Sequence, residues 1–225
     1  ENGTLMNLGY NIYDRRSLSS NAIYQIYQDN EGIMWIGTFG GGINILNPHK
    51  KQFRYYTQAT SGYNGLSHKS VLCFHEDYKG IIWIGTDGGG LNYFNPETGK
   101  FFAYTHDPAN ERSISSNVVT AIYQDHKGNF WIGTFNGGLN LFNPEKGTFI
   151  HYKNNPSDTA SILNNNVWAI YEDSQNNLWI GTLWGLELFD REKKIFTHIP
   201  RTIIYHRIFP TKVVSMLEDS QGRFW

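Results

Sequence analysis

The chain has 225 residues, 40% hydrophobic and 16% aromatic, with 23 glycines against 7 prolines, enough apolar material for one large domain or two small ones. Nineteen basic and 20 acidic residues leave a formal charge of −1, which excludes a broad basic footprint for nucleic acid or an anionic lipid surface. No apolar run reaches the roughly 18–20 residues of a membrane-spanning helix, and the single Cys73 excludes an internal disulfide. The chain opens at Glu1 without an initiator Met or a leader pattern, and is expected to be a processed or excised segment.

Taken in order, residues 1–16 read as the tail of an earlier unit, with LGYNIYD similar to an outer strand. Four full units follow, at 17–64, 65–112, 113–160 and 161–209, and residues 210–225 begin another that stops inside its second strand. The tryptophans mark the period: Trp35, Trp83, Trp131, Trp179 and Trp225 lie 48, 48, 48 and 46 residues apart. The first segment of each unit ends in Asp (AIYQIYQD, SVLCFHED, VVTAIYQD, VWAIYED) and the second is MWIGT, IWIGT, FWIGT or LWIGT. The third is INILNP, LNYFNP, LNLFNP or LELFD, and the fourth FRYY, FFAY, FIHY or FTHI.

These segments are too short for helices and alternate with period two; Ile23, Gln25 and Tyr27 oppose Tyr24, Ile26 and Gln28. The turns between them carry Asp followed by Gly or Asn, then a Gly cluster, then Asn-Pro-x-x-Gly. Four antiparallel strands every 48 residues predict an all-β fold, a β-propeller segment of four complete blades and two partial ones within a single domain. The repeated Trp is the expected wedge between blades, and Asp29, Asp77, Asp125 and Asp173 are expected to cap their turns. A propeller does not end inside a second strand, so the segment is expected to belong to a larger chain.

Most chemical motifs fail on spacing. The Gly clusters are followed by no Lys-Ser/Thr and no helix, so they read as turns rather than a phosphate loop. The recurring Asp residues lack the alternating acidic ligands of a calcium loop, and the eight histidines show no zinc spacing; neither a metal nor a cofactor is expected. The D-x-x-G-x-x-W string is close to the Asp-box hairpin of sialidases but off by one, without a catalytic carboxylate pair. No G-x-S-x-G occurs, and Cys73 reads as packing. No catalytic residue is assigned, and the segment is read as a recognition module rather than an enzyme.

The pattern carried by SLSSNAIYQIYQDNEGIMWIGTFGGGINILNP and SISSNVVTAIYQDHKGNFWIGTFNGGLNLFNP is similar to the regulator-propeller repeat of two-component sensors. The resemblance covers nearly the whole chain. It implies the periplasmic part of a hybrid sensor of Bacteroides-like bacteria, in which two propellers precede a β-sandwich, a membrane helix, a histidine kinase, a receiver and a DNA-binding domain. It further implies a response to oligosaccharides from polysaccharide breakdown, partner domains in the same chain and possible homodimerisation, with no nucleic acid bound or membrane entered by this segment. The fourth unit departs from the pattern: Asn177 is read in place of the turn Gly, Gly185 stands alone, and Asp190-Arg191 replaces Asn-Pro.

Recognition is expected on the face carrying the Gly loops, where the turn repeats but the side chains differ. The candidates are Phe39, Asp87, Phe135, Asn136, Leu183 and Trp184 on the loops, with Asn21, Lys69, Asn117 and Asn166 at the starts of first strands. Aromatic faces beside amides and charges suit sugar rings, whose C–H faces stack while their hydroxyls need partners. The rival readings are a scaffold propeller that binds only protein and a glycan-cleaving or lyase propeller.

Overall fold

The computed structural model describes residues 8–14, 17–47, 52–59, 64–95, 97–200 and 212–225. Among them every regular element is a strand, arranged as four antiparallel four-stranded sheets. The first sheet holds β1 (Ile23–Gln28), β2 (Met34–Thr38), β3 (Gly42–Asn47) and β4 (Gln52–Tyr56), and the second β5 (Val71–Glu76), β6 (Ile82–Thr86), β7 (Leu91–Asn95) and β8 (Lys100–Tyr104). The third holds β9 (Val119–Gln124), β10 (Phe130–Thr134), β11 (Gly138–Asn143) and β12 (Thr148–Tyr152), and the fourth β13 (Val167–Glu172), β14 (Leu178–Thr182), β15 (Gly185–Asp190) and β16 (Ile195–His198). In each sheet the strands lie side by side in chain order, as blades do. The chain divides into two compact units, Glu1–Ala103 and Tyr104–Trp225.

Each first turn is held by one carboxylate. In the first blade Asp29 Oδ1 accepts the backbone N–H groups of Glu31 (3.0 Å) and Ile33 (2.8 Å), while Oδ2 accepts the indole Nε1–H of Trp35 at 2.7 Å. Asp77 does the same for Lys79, Ile81 and Trp83, Asp125 for Lys127, Asn129 and Trp131, and Asp173 for Gln175, Asn177 and Trp179. The turn ends on a residue in the left-handed region, Gly32, Gly80 or Gly128. In the fourth blade this place is taken by Asn176 at φ 64°, not by Asn177 as the sequence reading had it. Asn tolerates that conformation better than other side chains, which is why the turn survives.

Within each unit the blades stack through the Trp and Gly of the WIGT segment. In the first unit the Trp35 ring lies 5.6 Å from Phe94 of the next blade; in the second, Trp131 lies 5.4 Å from Phe189. A large ring buried this way contributes roughly 4–6 kcal/mol at about 25 cal/mol per Å², before the entropy of ordering is charged against it. Gly37 sits against β5: a Cβ there would come within 2.9 Å of Val71 and Phe74. Gly133 meets Val167 at 2.8 Å in the same way. The glycine lets the first strand of the following blade approach, and any side chain would push the blades apart.

Trp35, Trp83 and Trp131 are buried, whereas Trp179 is only partly so. Its neighbour is Phe224, at 5.2 Å, in a short hairpin closed by the bridge between Glu218 and Phe224. At the other end, Leu8–Asp14 makes no strand. Tyr10 forms a parallel bridge to Leu18, as Gln58 does to Leu66 after β4, so this stretch is the connection that follows an outer strand.

Replacing Asp77 by Ala removes three hydrogen bonds and strands the indole N–H of buried Trp83. We expect a loss of about 2–4 kcal/mol in urea unfolding, with Asp77→Asn costing less because its carbonyl keeps the backbone bonds.

Candidate functional site

The Gly loops follow β2, β6, β10 and β14. Each is closed by the threonine of WIGT, whose Oγ1 donates to the carbonyl of Gly42, Gly90, Gly138 or Gly185 (2.8–3.1 Å). The first loop residue donates its backbone N–H to the start of its own blade: Phe39 to Ala22, Asp87 to Ser70, Phe135 to Val118 and Leu183 to Asn166. The loop backbones are therefore fixed, and their side chains project. Phe39, Phe135 and Trp184 are 50%, 38% and 46% exposed; Asn136 is exposed and Asp87 half-buried. The fourth loop is shorter than the third: Thr182 pairs with Gly185, whereas Thr134 pairs with Gly138, which leaves Trp184 at a tight tip.

The first-strand candidates fall into two groups. Asn21, Asn117 and Asn165 are equivalent: each Oδ1 accepts the backbone N–H of the residue eleven places earlier, Tyr10, His106 and Asn154. Asn166, grouped with Asn21 and Asn117 by the sequence reading, is one residue out of that register. It matches Ser70 instead, because Asn166 Oδ1 accepts Asn136 N–H at 2.7 Å as Ser70 Oγ accepts Gly40 N–H at 3.2 Å. These amides hold crossovers and neighbouring loops, while Lys69 is exposed.

In the second unit the loop face gathers more than the sequence reading named. Phe135 packs edge-on against Trp168 of β13, with ring centroids 6.0 Å apart, and Lys212 Nζ stands 3.3 Å from the Trp168 ring centroid. The Trp168 Nε1–H is enclosed and has no hydrogen-bond partner among the described residues. Phe135, Asn136, Asn166, Trp168 and Lys212 thus make one cluster of aromatic faces, amides and a cation. In the first unit Phe39 pairs, among the described residues, with Tyr24 of its own blade, at 5.9 Å. Trp168 was legible only as a tryptophan outside the 48-residue series, at the place of Tyr24, Leu72 and Thr120.

One buried acid lies outside the candidates that the sequence offers. Asn44, Asn92 and Asn140 are buried in their third strands, each binding a serine through both N–H and hydroxyl: Ser19, Ser67 and Ser115. The fourth blade has Glu187 and Leu163 at these places. Glu187 is fully buried, and among the described residues its two oxygens accept the Leu163 N–H (3.0 Å) and a 3.5 Å contact from Thr182 Oγ1, with His198 Nε2 at 3.7 Å. Burial pushes its carboxyl up to about 7.

Among the described residues no three His, Cys, Asp or Glu side chains gather as a metal site, and no helix is long and apolar enough to cross a membrane. Cys73 is buried, and burial pushes its thiol up to about 12.

Comparison with known proteins accords with this architecture. The model of the two-component regulator propeller family matches residues 17–40, 65–88, 113–136 and 161–184. The extracellular domain of a hybrid two-component system from B. thetaiotaomicron is 24% identical with a TM-score of 0.62, covering 91% of this chain and 32% of that one. A second such domain from the same bacterium is 20% identical with a TM-score of 0.52, covering 94% and 33%. A catalytically inactive virginiamycin B lyase from Staphylococcus aureus, with quinupristin, is 16% identical with a TM-score of 0.63, covering 91% and 62%. The chain therefore spans about a third of the two extracellular domains. No curated protein matches it.

Glu187 yields a pH test. Its folded pKa lies above the ordinary value of 4.5, so any stability it confers is present below that value and lost as pH rises through 7. The loss is on the order of 2–3 kcal/mol by pH 8. We expect Glu187→Gln to flatten the pH 5–8 stability profile and to be the more stable protein at pH 8 in urea titrations.

Proposed function

Since four successive units of this chain carry two-component regulator propeller repeats, we propose that it is part of a periplasmic sensing propeller that binds an oligosaccharide and signals to a downstream histidine kinase and transcription regulator. The observation that carries the reading is the cluster of Phe135, Asn136, Asn166, Trp168 and Lys212 on the loop face of the second unit. There the loop backbone repeats from blade to blade while its side chains do not, the arrangement expected of recognition on a rigid scaffold. The exposed Phe135 ring, tilted 68° to Trp168, offers a face for sugar C–H groups, and Asn136 and Lys212 offer donors for hydroxyls. Trp184 adds an exposed ring at a loop tip of the same unit.

Binding would act by population shift: the ligand favours one arrangement of the propeller and its neighbouring domains, or of two copies, and the membrane segment of the full chain reports it. The chemistry on this segment is binding rather than turnover. The extracellular domains from B. thetaiotaomicron support a location outside the cytoplasm.

The full-length chain titrated calorimetrically with plant and host oligosaccharides is expected to bind at least one of them and leave it uncut. Trp168→Ala and Trp184→Ala should each weaken that binding about 5–10-fold, as befits roughly 1 kcal/mol of ring stacking, with the melting temperature of Trp184→Ala unchanged. Unaltered affinity in both variants would remove recognition from this face. A ligand cleaved by the chain, with cleavage lost on mutating a residue of this segment, would replace the sensor with an enzyme.

A further inference from the structure

The opposite ends of the blades hold a second feature, which the sensing proposal does not use. In the second unit Arg191 replaces the proline of the third turn and reaches three acceptors. NH1 donates to Asp125 Oδ2 at 2.9 Å and to Glu172 Oε1, and NH2 donates to the carbonyl of Asn176. Burial pushes the carboxyls of Asp125 and Glu172 up, but the indole of Trp131 and the guanidinium of Arg191 more than offset it and hold both below their ordinary values.

The first unit has the same acceptors and no arginine at the place of Arg191. Asp29, Glu76 and Gly80 occupy the repeat positions of Asp125, Glu172 and Asn176, and all three line a cleft of about 1110 Å³ between the first two blades. Its apolar wall includes Trp35, Tyr56 and Phe94. Glu76 Oε2 is engaged by Tyr27 Oη–H (3.0 Å) and Asn30 N–H (3.2 Å), while no described group donates to Oε1. In the other two blades with Glu at this place, that oxygen is used: Glu172 Oε1 meets Arg191 and His126, and Glu218 Oε1 meets Ser174 Oγ.

The turn carbonyl repeats the pattern. Where the position is Gln, the side chain satisfies its own turn: Gln28 Nε2 donates to Gly32 O and Gln124 Nε2 to Gly128 O, both at 3.3 Å. Glu76 cannot donate, and no described group reaches the Gly80 carbonyl. The residue aligned with Arg191 in this unit is Pro96, which has no charge or donor. Arg54 and Lys79 also line the cleft, but neither forms an ion pair with a described carboxylate. Lys79 and Arg54 correspond to Gln175 and Ile150 of the second unit, so these two cations are particular to the first-unit cleft, and neither reaches Glu76 Oε1 or the Gly80 carbonyl.

We infer that this cleft of the first unit is a receptor for an arginine side chain presented by another polypeptide, which would take the place that Arg191 fills in the second unit. Two carboxylates and a carbonyl lining one cleft match the fork of a guanidinium better than the single point of an ammonium. The aromatic wall suits the flat face of the cation. Four acids lining the cleft, Asp29, Glu31, Glu76 and Glu97, against two bases favour a positive guest.

The test uses the full chain and a fluorescent peptide with one central arginine between glycines, beside versions with citrulline or lysine in its place. The arginine peptide should bind saturably, and the citrulline and lysine peptides about tenfold more weakly or less. Glu76→Gln should weaken arginine-peptide binding at least tenfold at an unchanged or higher melting temperature, since Gln stands naturally at this place in β1 and β9. No binding below about 10 mM, equal binding of the citrulline or lysine peptide, or unaltered binding by Glu76→Gln would each overturn the inference. Oligosaccharide binding at the loop face is scored separately, so failure here leaves the sensing proposal as it was.

Discussion

The rest of the structure depends on one carboxylate per blade. By accepting two backbone N–H groups and an indole N–H, the turn aspartate both closes the first hairpin and fixes the rotamer of the tryptophan six residues on. That second effect makes a local turn into a tertiary device. A tryptophan held at one end by its N–H presents a defined face to the next blade, where Phe94 or Phe189 packs on it. Without the carboxylate the indole would carry an unsatisfied buried donor, and the blade interface would lose its largest ordered group.

The same strand supplies the matching concession. Two residues after the tryptophan, Gly37 and Gly133 leave room for Val71 and Val167 of the following blade. Large and small thus alternate along WIGT, as interdigitating faces require. The threonine that follows closes the Gly loop. Four consecutive residues, WIGT, therefore set the packing, the approach distance and the loop, and they are the same in all four blades. Variation is displaced to the ends of the blades, where the backbone is already fixed and a side chain can change without loss of fold.

The two ends are used differently. At the Gly-loop end of the second unit, rings, amides and a lysine converge around Trp168. At the turn end, a glutamate before the turn aspartate exchanges a donor for an acceptor, and each blade answers in its own way. Arg191 and His126 answer Glu172, and Ser174 answers Glu218. A repeat protein permits this kind of reading because each blade is a control for the next: the same backbone with a different partner shows what the backbone leaves unsatisfied.

The sequence by itself determined the strands, their order in each sheet, the turns and the period of the tryptophans. The turns rest on contacts as short as that between Asp29 and Trp35, and the strands pair with their neighbours in the chain, as Ile23 does with Thr38, so composition and spacing carry them. It also marked the loop side chains, since Phe39, Phe135 and Trp184 vary on an otherwise repeated turn. Three things were decided only by the tertiary structure. Asn165 shares the 48-residue period of Asn21 and Asn117, but what these amides do, holding a crossover by a bond across eleven residues, appears only in the fold. Trp168, Phe135 and Lys212 meet only when one blade is laid on another. Glu76 and Arg191 stand out only when clefts are compared, because the contact of Arg191 with Asp125 spans 66 residues and no local pattern encodes which neighbour a side chain will face.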